Sequence, residues 1–537
     1  MPQAFARYTP AHDPEVAPGW SIERLTAPSR LFGANGLRMG PDGRLYVAQW
    51  SGSQISAVDI DSGAVEAISP VGGPIVGPDD LAFDDAGNLY ATEITEGRVS
   101  MRTPRGETRI LAAVPLANPI TVHRDRIFAG ELQLGGRIVE LDREGGPPRT
   151  ICEGLPMPNA FEVGPDGMLY FPLMGANEIW RVSLDGGEPE RVARDLGVPT
   201  SVKFDAMGRI VSTQINSGEV LRIDVQTGAR EVIAQIAPGM DNLAFCDERL
   251  FASNVTGSIH EILGGGRLRS VIPSGFNWPL GLAVNDDGTL YAADGLTTYA
   301  IAQGGSPRIA GSFFLPGYPG YCRGLAAMGG GEFAVATGEG RVLRWRPHHA
   351  ESELIADGFD ELYGIAVAAD GSVLVADGGT GRVLHLRGGA VEVLASDLRK
   401  PKGIAVAGDG SCFVAEADGG RIVRLSGGHS SVVLDGLIDP QGLALHEERL
   451  YVVDARAKEL VVYDIATRTR ETIVSALPVG APPGVTAKPL RAMGAHLGVQ
   501  GPFAGIAIGA GGTIYLSNDA EGAILAVHPT AEAGRRR

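Results

Sequence analysis

The sequence has few cysteines, no long apolar run and no excess of basic residues. Its cysteines, Cys152, Cys246, Cys322 and Cys412, are widely separated and form no C-x-x-C pair, which argues against a zinc site and a disulfide framework. Nowhere do about 18 apolar residues follow one another, so no membrane-spanning helix is expected. The formal net charge is −17 at pH 7, and such a chain repels nucleic-acid phosphates and anionic membranes. We therefore expect neither nucleic acid nor a membrane as a partner.

The first 16 residues also lack the features of a secretion signal. They contain neither a basic region nor an apolar one, which are the two parts that define such a signal. Scattered, unpaired cysteines are typical of a reducing compartment. Together these observations predict a cytoplasmic protein.

What the sequence has in abundance is a repeated phrase. A small residue followed by G-[LI]-A precedes a phrase close to D-G-x-L-Y-V-A-D, with clear copies at 41–49 (PDGRLYVAQ), 84–93 (DDAGNLYATE) and 285–294 (NDDGTLYAAD). The residue two before the first apolar position, here called the entry position, is Asn35, Asp79, Asn118, Asn159, Thr200, Asp241, Leu280, Arg323, Tyr363, Lys402, Gln441 and Ala504. Ten of the eleven intervals are 39 to 44 residues and one is 63.

This period predicts an all-β fold of propeller blades. Each repeat contains four short apolar runs separated by D-G or G-G turns, and four strands in about 40 residues are typical of one blade. Twelve four-stranded blades exceed the usual four to eight of one ring. We therefore predict two six-bladed β-propellers in tandem.

The boundary between the two rings is predicted from unpaired strand segments. Residues 21–26 (SIERLT) precede the first repeat, and residues 267–273 (RLRSVIP) follow a glycine run. If each begins a ring as its outer strand, residues 1–19 form a tail, 20–264 the first propeller and 265–537 the second, each without exposed edges. In the alternative, both chain termini belong to one ring and the other ring is inserted within it.

Polar residues at the entry positions and at the ends of the second strands suggest a metal site in the first half. The candidates are Asn35, Asp79, Asn118 and Asn159 at entry positions, and Glu93 and Glu131 at strand ends. Carboxylates crowded in a narrow channel repel each other unless a cation or protons intervene, and Ca²⁺ or Mg²⁺ prefers such oxygen ligands. Alternatively the channel is only hydrated, with Asn and Asp capping turns.

The phrases around two of these residues resemble the SMP-30/gluconolactonase/LRE-like propellers, which share blade features with NHL repeats. Residues 34–37 (ANGL) and 78–81 (PDDL) are similar to the family's Asn and Asp ligand phrases, and 158–161 (PNAF) is a weaker copy. The resemblance implies a divalent ion at the channel mouth and lactonase activity. The family's E-G-P phrase is missing, so its Glu ligand has no counterpart, and Glu93 and Glu131 are suggested by position alone.

The second half has cations where the first has amides and carboxylates. Arg323, Tyr363 and Lys402 occupy consecutive entry positions, and Arg and Lys side chains bind carboxylates or phosphates. They are therefore candidates for binding an anionic substrate group. In the alternative, they pair with the acidic residues at the strand ends and have a structural role.

These features lead to two hypotheses of function. The first is a metal-dependent hydrolase or lyase of a small oxygenated metabolite such as a lactone, with its active site in the first channel and Asp79 or Asp241 as catalytic base. The second is a non-catalytic scaffold that binds a protein or a small ligand. A long segment, residues 476–501, accounts for the 63-residue interval and suggests a lid, because long loops in compact domains are usually functional or disordered.

Overall fold

The computed structural model describes Arg7, residues 13–481, residue 485, residues 490–493 and residues 501–530. Within these residues the protein is all-β, with twelve antiparallel sheets and no α-helix. Eleven sheets have four strands and one has five. All but the last two consist of four consecutive strands of the chain, which is consistent with propeller blades. The proposed lid includes residues 482–484, 486–489 and 494–500, which lie outside the described residues.

The strands follow in chain order. The N-terminal strands are β1 (Glu15–Val16) and β2 (Trp20–Arg24). Sheets 1 to 3 contain β3 (Leu37–Met39), β4 (Leu45–Gln49), β5 (Gln54–Val58), β6 (Val65–Ser69), β7 (Pro78–Phe83), β8 (Leu89–Glu93), β9 (Arg98–Arg102), β10 (Thr108–Ala113), β11 (Ala117–His123), β12 (Arg126–Glu131), β13 (Leu134–Leu141) and β14 (Arg149–Pro156). Sheets 4 to 6 contain β15 (Glu162–Val163), β16 (Met168–Leu173), β17 (Glu178–Ser183), β18 (Glu190–Ala193), β19 (Lys203–Phe204), β20 (Ile210–Thr213), β21 (Glu219–Ile223), β22 (Arg230–Gln235), β23 (Met240–Cys246), β24 (Arg249–Asn254), β25 (Ile259–Ile262) and β26 (Leu268–Ile272).

The remaining sheets repeat the pattern. Sheets 7 to 9 contain β27 (Leu282–Val284), β28 (Leu290–Asp294), β29 (Thr297–Ile301), β30 (Arg308–Ser312), β31 (Cys322–Gly329), β32 (Glu332–Thr337), β33 (Val342–Arg346), β34 (Glu351–Ala356), β35 (Leu362–Val367), β36 (Val373–Asp377), β37 (Arg382–Arg387) and β38 (Ala390–Ala395). Sheets 10 to 12 contain β39 (Pro401–Val406), β40 (Cys412–Glu416), β41 (Arg421–Ser426), β42 (His429–Leu434), β43 (Pro440–His446), β44 (Arg449–Asp454), β45 (Glu459–Asp464), β46 (Thr469–Ser475), β47 (Ile506–Ile508), β48 (Ile514–Asn518) and β49 (Ala523–Pro529). Short 3₁₀ turns span Gly264–Gly266, Pro347–His349 and Ala510–Gly512.

The repeated D-G phrase forms the turn between the first two strands of a sheet. In sheet 2 the Asp84 carboxylate accepts hydrogen bonds from the backbone N–H groups of Ala86 (3.1 Å) and Asn88 (2.9 Å). Gly87 has φ +79°, a conformation that glycine adopts readily. The Tyr90 hydroxyl donates to Asp84 at 2.9 Å, so the residue types of the repeat connect the turn to the second strand.

The core consists of apolar layers between neighbouring sheets. Between sheets 1 and 2 the layer contains Tyr46, Ala48, Ile55, Ala57, Ile75, Leu81, Leu89 and Ala91, all buried. Each fully buried Leu or Ile side chain contributes about 1.5 to 3 kcal/mol to folding. Because such a layer lies on each side of a sheet, a single sheet would expose two apolar faces to water. Stacking of successive sheets buries these faces.

The chain divides into two compact units with six sheets each. Unit 1 comprises residues 1–7, 29–277 and 485–493, and unit 2 comprises residues 8–28, 278–484 and 494–537. In unit 1 the Ser253 hydroxyl of sheet 6 donates to the Asn35 carbonyl beside sheet 1, at 2.6 Å. In unit 2 the Ser517 hydroxyl of sheet 12 donates to the Leu280 carbonyl beside sheet 7. In each unit the last sheet is thus hydrogen-bonded to the segment that leads into the first.

The strand pairings correct the predicted boundary. The N-terminal strand β2 pairs with β49 of sheet 12, with Ile22 opposite Val527, and β1 pairs with β46 of sheet 11. The segment predicted to start the second ring forms β26, which pairs with β25 of sheet 6. The division therefore falls at Asn277 and Trp278 instead of at residue 264, and the predicted tail 1–19 contains β1. An N-terminal strand and the last three strands of the chain therefore share sheet 12, as in the interleaved alternative.

Among the described residues, no helix has the length and apolarity needed to cross a membrane.

Candidate functional site

Three of the predicted site residues come together in unit 1. Asp79 enters β7, Asn118 lies at the start of β11, and Asp241 lies at the start of β23. The Asn118 amide is hydrogen-bonded to the Asp79 carboxylate, and the Asp241 carboxylate is close enough to act on Asp79 electrostatically. We call these three residues the carboxylate cluster. Within the described part of the chain, no cationic side chain forms an ion pair with Asp79 or Asp241.

Both carboxylates of the cluster hold protons more tightly than usual. Burial, together with the nearby charges of Asp241 and Asp80, raises the pKa of Asp79 well above its ordinary value, although the Asn118 hydrogen bond opposes the shift. Burial and the charge of Asp80 raise the pKa of Asp241 to about 7. The Asp241 side chain is still partly exposed, so the pair combines desolvation with access for a small molecule.

One atom of the cluster lacks a hydrogen-bond partner. The Asn118 residue is 5% exposed, and its Oδ1 atom is buried without a hydrogen bond to any described residue. A buried amide oxygen without a partner costs about 1 to 3 kcal/mol. The cluster therefore has a neutral oxygen ligand available next to two carboxylates.

A second polar layer follows directly along the inner strands. The Asp80 carboxylate accepts hydrogen bonds from the backbone N–H of Ile120 (3.1 Å) and from the Asn242 side-chain amide (3.0 Å). Burial raises the pKa of Asp80, while Arg38 and Lys203 oppose that shift. The carboxylate lies beside Gly36, where a Cβ would be 2.7 Å from Asp80 Oδ1. Glycine at this position therefore makes room for Asp80.

Three charged residues form a third layer, which we call the inner triad. They are Arg38, Glu162 and Lys203. Glu162 Oε2 accepts from Arg38 Nη1 at 3.0 Å and from Lys203 Nζ at 2.7 Å. Although burial alone would raise it, Lys203 and Arg38 lower the pKa of Glu162 to about 2. Burial and the Arg38 charge lower the pKa of Lys203. The inner segments of unit 1 thus carry acidic groups at two entry positions and a triad with two cations three residues after the entry positions.

The two predicted glutamate ligands are committed to arginines. Glu93 accepts hydrogen bonds from Arg98 Nη2 at 2.6 Å and from the Ser100 hydroxyl, and its side chain is fully buried. Glu131 accepts from Arg137 Nη2 at 2.6 Å. The structure therefore places both carboxylates in ion pairs, with positive partners that compete with any cation.

The two remaining asparagine candidates are held by local contacts. Asn159 Oδ1 accepts from the backbone N–H of Ala160 at 2.7 Å, and its Nδ2 contacts the Met174 sulfur at 3.0 Å. Asn35 Oδ1 accepts a long hydrogen bond of 3.4 Å from the Trp50 backbone N–H. Asn35 is thus the less firmly held of the two, while Asn159 caps its own strand.

The inner strands of unit 2 are lined differently. The residue after each entry position is glycine in all six sheets: Gly281, Gly324, Gly364, Gly403, Gly442 and Gly505. A Cβ at Gly403 would overlap the carbonyl oxygen of Gln441 in the next sheet. Only glycine permits this approach of adjacent inner strands. The glycines and the Leu or Ile after each of them line a narrow cavity of about 40 Å³ that also borders Tyr363 and Phe503.

The structure brings the three predicted substrate-binding residues of unit 2 together. Arg323 lies over the Tyr363 ring with its Cζ 4.6 Å from the ring centroid, and Lys402 Nζ is 5.9 Å from the same centroid. Arg323 is 1% exposed, and its Nε and Nη2 atoms have no hydrogen-bond partner among the described residues. Lys402 Nζ is 3.6 Å from an Asp439 carboxylate oxygen, and the Phe503 ring stacks on the Tyr363 ring with the centroids 5.4 Å apart.

Sequence reasoning missed the second layer and the inner triad, although a signal was present. In unit 2 the phrase G-[LI]-A occurs unchanged in all six repeats. In unit 1 the same two positions carry Asp80, Asn242, Arg38, Glu162 and Lys203 in place of Gly or Ala. Unit 1 thus has charged or polar residues at repeat positions where unit 2 has Gly or Ala. This difference indicates that the channel of unit 1 has more than a structural role.

The carboxylate cluster fits a hard divalent cation in donor type. Asp79, Asp241 and the Asn118 amide oxygen supply only oxygen ligands, which Ca²⁺ and Mg²⁺ prefer. No three His, Cys, Asp or Glu side chains converge as a metal site within the residues that the structure describes. A cation here would therefore depend on two carboxylates and on amide oxygens, with water completing its ligand shell.

No protein-family model and no curated protein matches the sequence. Solved structures similar to the chain include a streptogramin B lyase (TM-score 0.39, 19% identity, covering 52% of this chain and 96% of that chain). A gluconolactonase from Xanthomonas campestris has TM-score 0.38 and 15% identity, covering 46% of this chain and 94% of that chain. Virginiamycin B lyase from Staphylococcus aureus has TM-score 0.38 and 16% identity, covering 51% of this chain and 96% of that chain. At these TM-scores the likeness assigns no activity to this chain, and the similarity to the SMP-30/gluconolactonase family stays a resemblance.

Proposed function

We propose that unit 1 is a six-bladed propeller that hydrolyses, or eliminates from, a small oxygenated metabolite such as a lactone, with a divalent cation at the carboxylate cluster. The observation that carries the proposal is the pair Asp79 and Asp241. Two neighbouring carboxylates with raised pKa and no cationic partner among the described residues store electrostatic repulsion. Such an arrangement is typical of functional sites, since purely structural carboxylates are usually paired.

The residues of the cluster have distinct proposed roles. Asp79, Asp241 and Asn118 Oδ1 would hold the cation, and Asn35 is the further amide candidate because its side chain makes one long hydrogen bond among the described residues. A bound Ca²⁺ or Mg²⁺ would polarise a carbonyl group and lower the pKa of a bound water. We assign the proton-accepting role to Asp241, whose side chain is partly exposed, and the role of cation ligand chiefly to Asp79.

For unit 2 the observations favour the alternative hypothesis, a binding or scaffolding role. We propose that it is a second six-bladed propeller, closed by β2, without a catalytic centre. Two of its four acidic strand-end residues are paired with arginines, Asp377 with Arg382 at 3.1 Å and Glu416 with Arg421, and the other two, Asp294 and Asp454, accept backbone hydrogen bonds. Arg323, whose Nε and Nη2 atoms have no hydrogen-bond partner in the described part of the chain, is the residue there best suited to bind an anionic group.

The proposal is tested by lactone hydrolysis, followed as acid release with a pH indicator on a panel of five- and six-membered sugar lactones. Replacing a catalytic base typically lowers the rate roughly 10² to 10⁴-fold, and we expect Asp241→Asn to lose activity by that factor. Asp377→Asn in unit 2 is the matched control and should retain it. Equal activity of the Asp241→Asn variant and the wild-type protein on every hydrolysed lactone would overturn the assignment.

A further inference from the structure

A cavity of about 210 Å³ lies in unit 1 beside the inner triad, towards the ends of inner strands β3, β19 and β23. Its polar side consists of Arg38, Glu162 and Lys203, and its apolar side includes Met39, Phe204 and Phe245. The Arg38 and Glu162 side chains keep 17% and 25% of their surface exposed, so the cavity opens to solvent. The carboxylate cluster lies at the opposite end of the inner strands.

The hydrogen bonds of the triad hold Arg38 more firmly than Lys203. Three of the five Arg38 N–H donors are occupied, one on each nitrogen: Nε donates to the Leu81 carbonyl (2.9 Å), Nη1 to Glu162 (3.0 Å) and Nη2 to the Ile120 carbonyl (3.0 Å). Lys203 Nζ donates to Glu162 at 2.7 Å, and this is its one hydrogen bond within the described residues. An ammonium group has three donors, so two remain for an acceptor in the cavity.

The charges of the triad and the volume of the cavity restrict the kind of ligand that carries this acceptor. Two cations face one carboxylate in the triad, while Asp80 lies one layer away and is bound by Ile120 and Asn242. The triad itself has one more cation than carboxylates, which suits a single anionic group, and Asp80 acts on both cations from the neighbouring layer. A cavity of about 150 Å³ is large enough for benzene, so 210 Å³ holds a body of about that size together with a polar substituent. Two phenylalanines and a methionine provide matching apolar surface.

We propose that this cavity binds a small monocarboxylate with an apolar body, its carboxylate on Lys203 and its body against Met39, Phe204 and Phe245. The site is separate from the carboxylate cluster and does not depend on its proposed activity. Charge-assisted hydrogen bonds are roughly twice as strong as neutral ones, so Lys203 determines the preference for an acid over the corresponding alcohol.

The test uses benzoate as the probe and benzyl alcohol as its neutral counterpart, with binding followed by ligand-observed NMR titration of the full-length protein. We expect benzoate to bind at least tenfold more tightly than benzyl alcohol, and Lys203→Met to remove this preference. Lys458→Met, in unit 2, is the matched control and should leave benzoate binding unchanged, because Lys458 Nζ donates to the Val479 and Ala481 carbonyls outside both candidate sites. Equal affinity for the two probes, or loss of benzoate binding in Lys458→Met and not in Lys203→Met, would overturn the proposal.

A second variant covers the case in which Lys203→Met does not fold. Met39→Trp retains the triad and fills the apolar side of the cavity from a partly exposed position. We expect this variant to melt close to the wild-type temperature and to lose benzoate binding by tenfold or more. Undiminished benzoate binding in the folded Met39→Trp protein would show that the probe binds elsewhere.

Discussion

The raised pKa of Asp241 predicts that unit 1 loses stability as the pH rises from 4 to 7. In the folded protein this carboxyl group has a pKa of about 7, against an ordinary value of 3.8. The folded state therefore binds the proton more tightly than the unfolded state, and stability falls with pH until both states are ionised. One pKa unit corresponds to about 1.4 kcal/mol, so the full shift amounts to on the order of 4 kcal/mol. This is an upper limit, because the side chain is partly exposed to screening solvent.

The loss of stability that accompanies ionisation of Asp241 is spread over two pH ranges. With these two pKa values, about 1.5 kcal/mol is lost by pH 5 and about 2.5 kcal/mol more between pH 5 and pH 8. Asp241→Asn removes the titration and keeps the shape of the side chain. The stability of the variant relative to the wild-type protein should therefore be about 2.5 kcal/mol higher at pH 8 than at pH 5. Any cost of burying the amide is the same at both pH values and does not change this difference.

The assay is urea unfolding at pH 5 and pH 8 in the presence of a chelator. Hydrogen exchange of strands β7 and β23 assigns the transition to unit 1. The comparison with the variant is necessary because burial lowers the pKa of His260, and stability then rises with pH through the ordinary histidine range. Asp377→Asn is the control: its buried carboxylate pairs with Arg382, so its loss should destabilise the protein at both pH values. The reasoning is refuted if Asp241→Asn shows the same stability difference from wild type at pH 5 and at pH 8.

Three further predictions concern the fold. Glu93→Gln should destabilise the protein by about 2 to 4 kcal/mol, because it leaves the charge of Arg98 without its buried partner. The substitution should not alter the affinity for Ca²⁺ or Mg²⁺, and a loss of that affinity would identify Glu93 as a ligand. Gly403→Ala should lower the free energy of unfolding in urea by at least about 2 kcal/mol, because the added Cβ overlaps the next inner strand. Gly408→Ala, with no atom within 4 Å of the added Cβ, is the control and should change it by less than about 0.5 kcal/mol. Equal losses of stability in the two variants would contradict the packing described here. A fragment of residues 29–277 contains all six sheets of unit 1 and should show β-rich circular dichroism and one cooperative melting transition. A fragment that stays unfolded would show that unit 1 does not fold independently.

The number and length of the sheets could be predicted from the sequence because the turn chemistry is local. In seven of the twelve sheets, an Asp that accepts a backbone hydrogen bond is followed by a glycine with positive φ in the first hairpin, as at Asp84 and Gly87. The regular spacing of the entry positions predicted the remaining five sheets. The closure of the units was not predictable in the same way, because β2 and β26 satisfy the same pattern and only the backbone partner differs.

The candidate site was predictable where side chains share one position in the repeat. Asp79, Asn118 and Asp241 occupy entry positions of their sheets and come together in the structure. Glu93 occupies a strand end, where the residue opposite it across the hairpin is Arg98. The same spacing of five residues recurs in Asp377 and Arg382, so the ion pairs could have been found from cross-strand register. The repeat positions of the three triad residues mark them as unusual, but their pairing required knowledge of contacts between non-adjacent sheets, which no local pattern contains.

The central claim, a divalent cation at the carboxylate cluster, is tested most directly by the melting temperature of chelator-treated protein with and without added Ca²⁺ or Mg²⁺. A ligand that binds only the folded state stabilises it by about 2.7 kcal/mol at a concentration of 100 Kd, and affinity at oxygen-ligand sites follows the number of carboxylates. We predict that one of these ions raises the melting temperature of the wild-type protein and that Asp79→Asn abolishes most of the increase. Wild-type protein that melts at the same temperature with chelator, with Ca²⁺ and with Mg²⁺ would contradict the account.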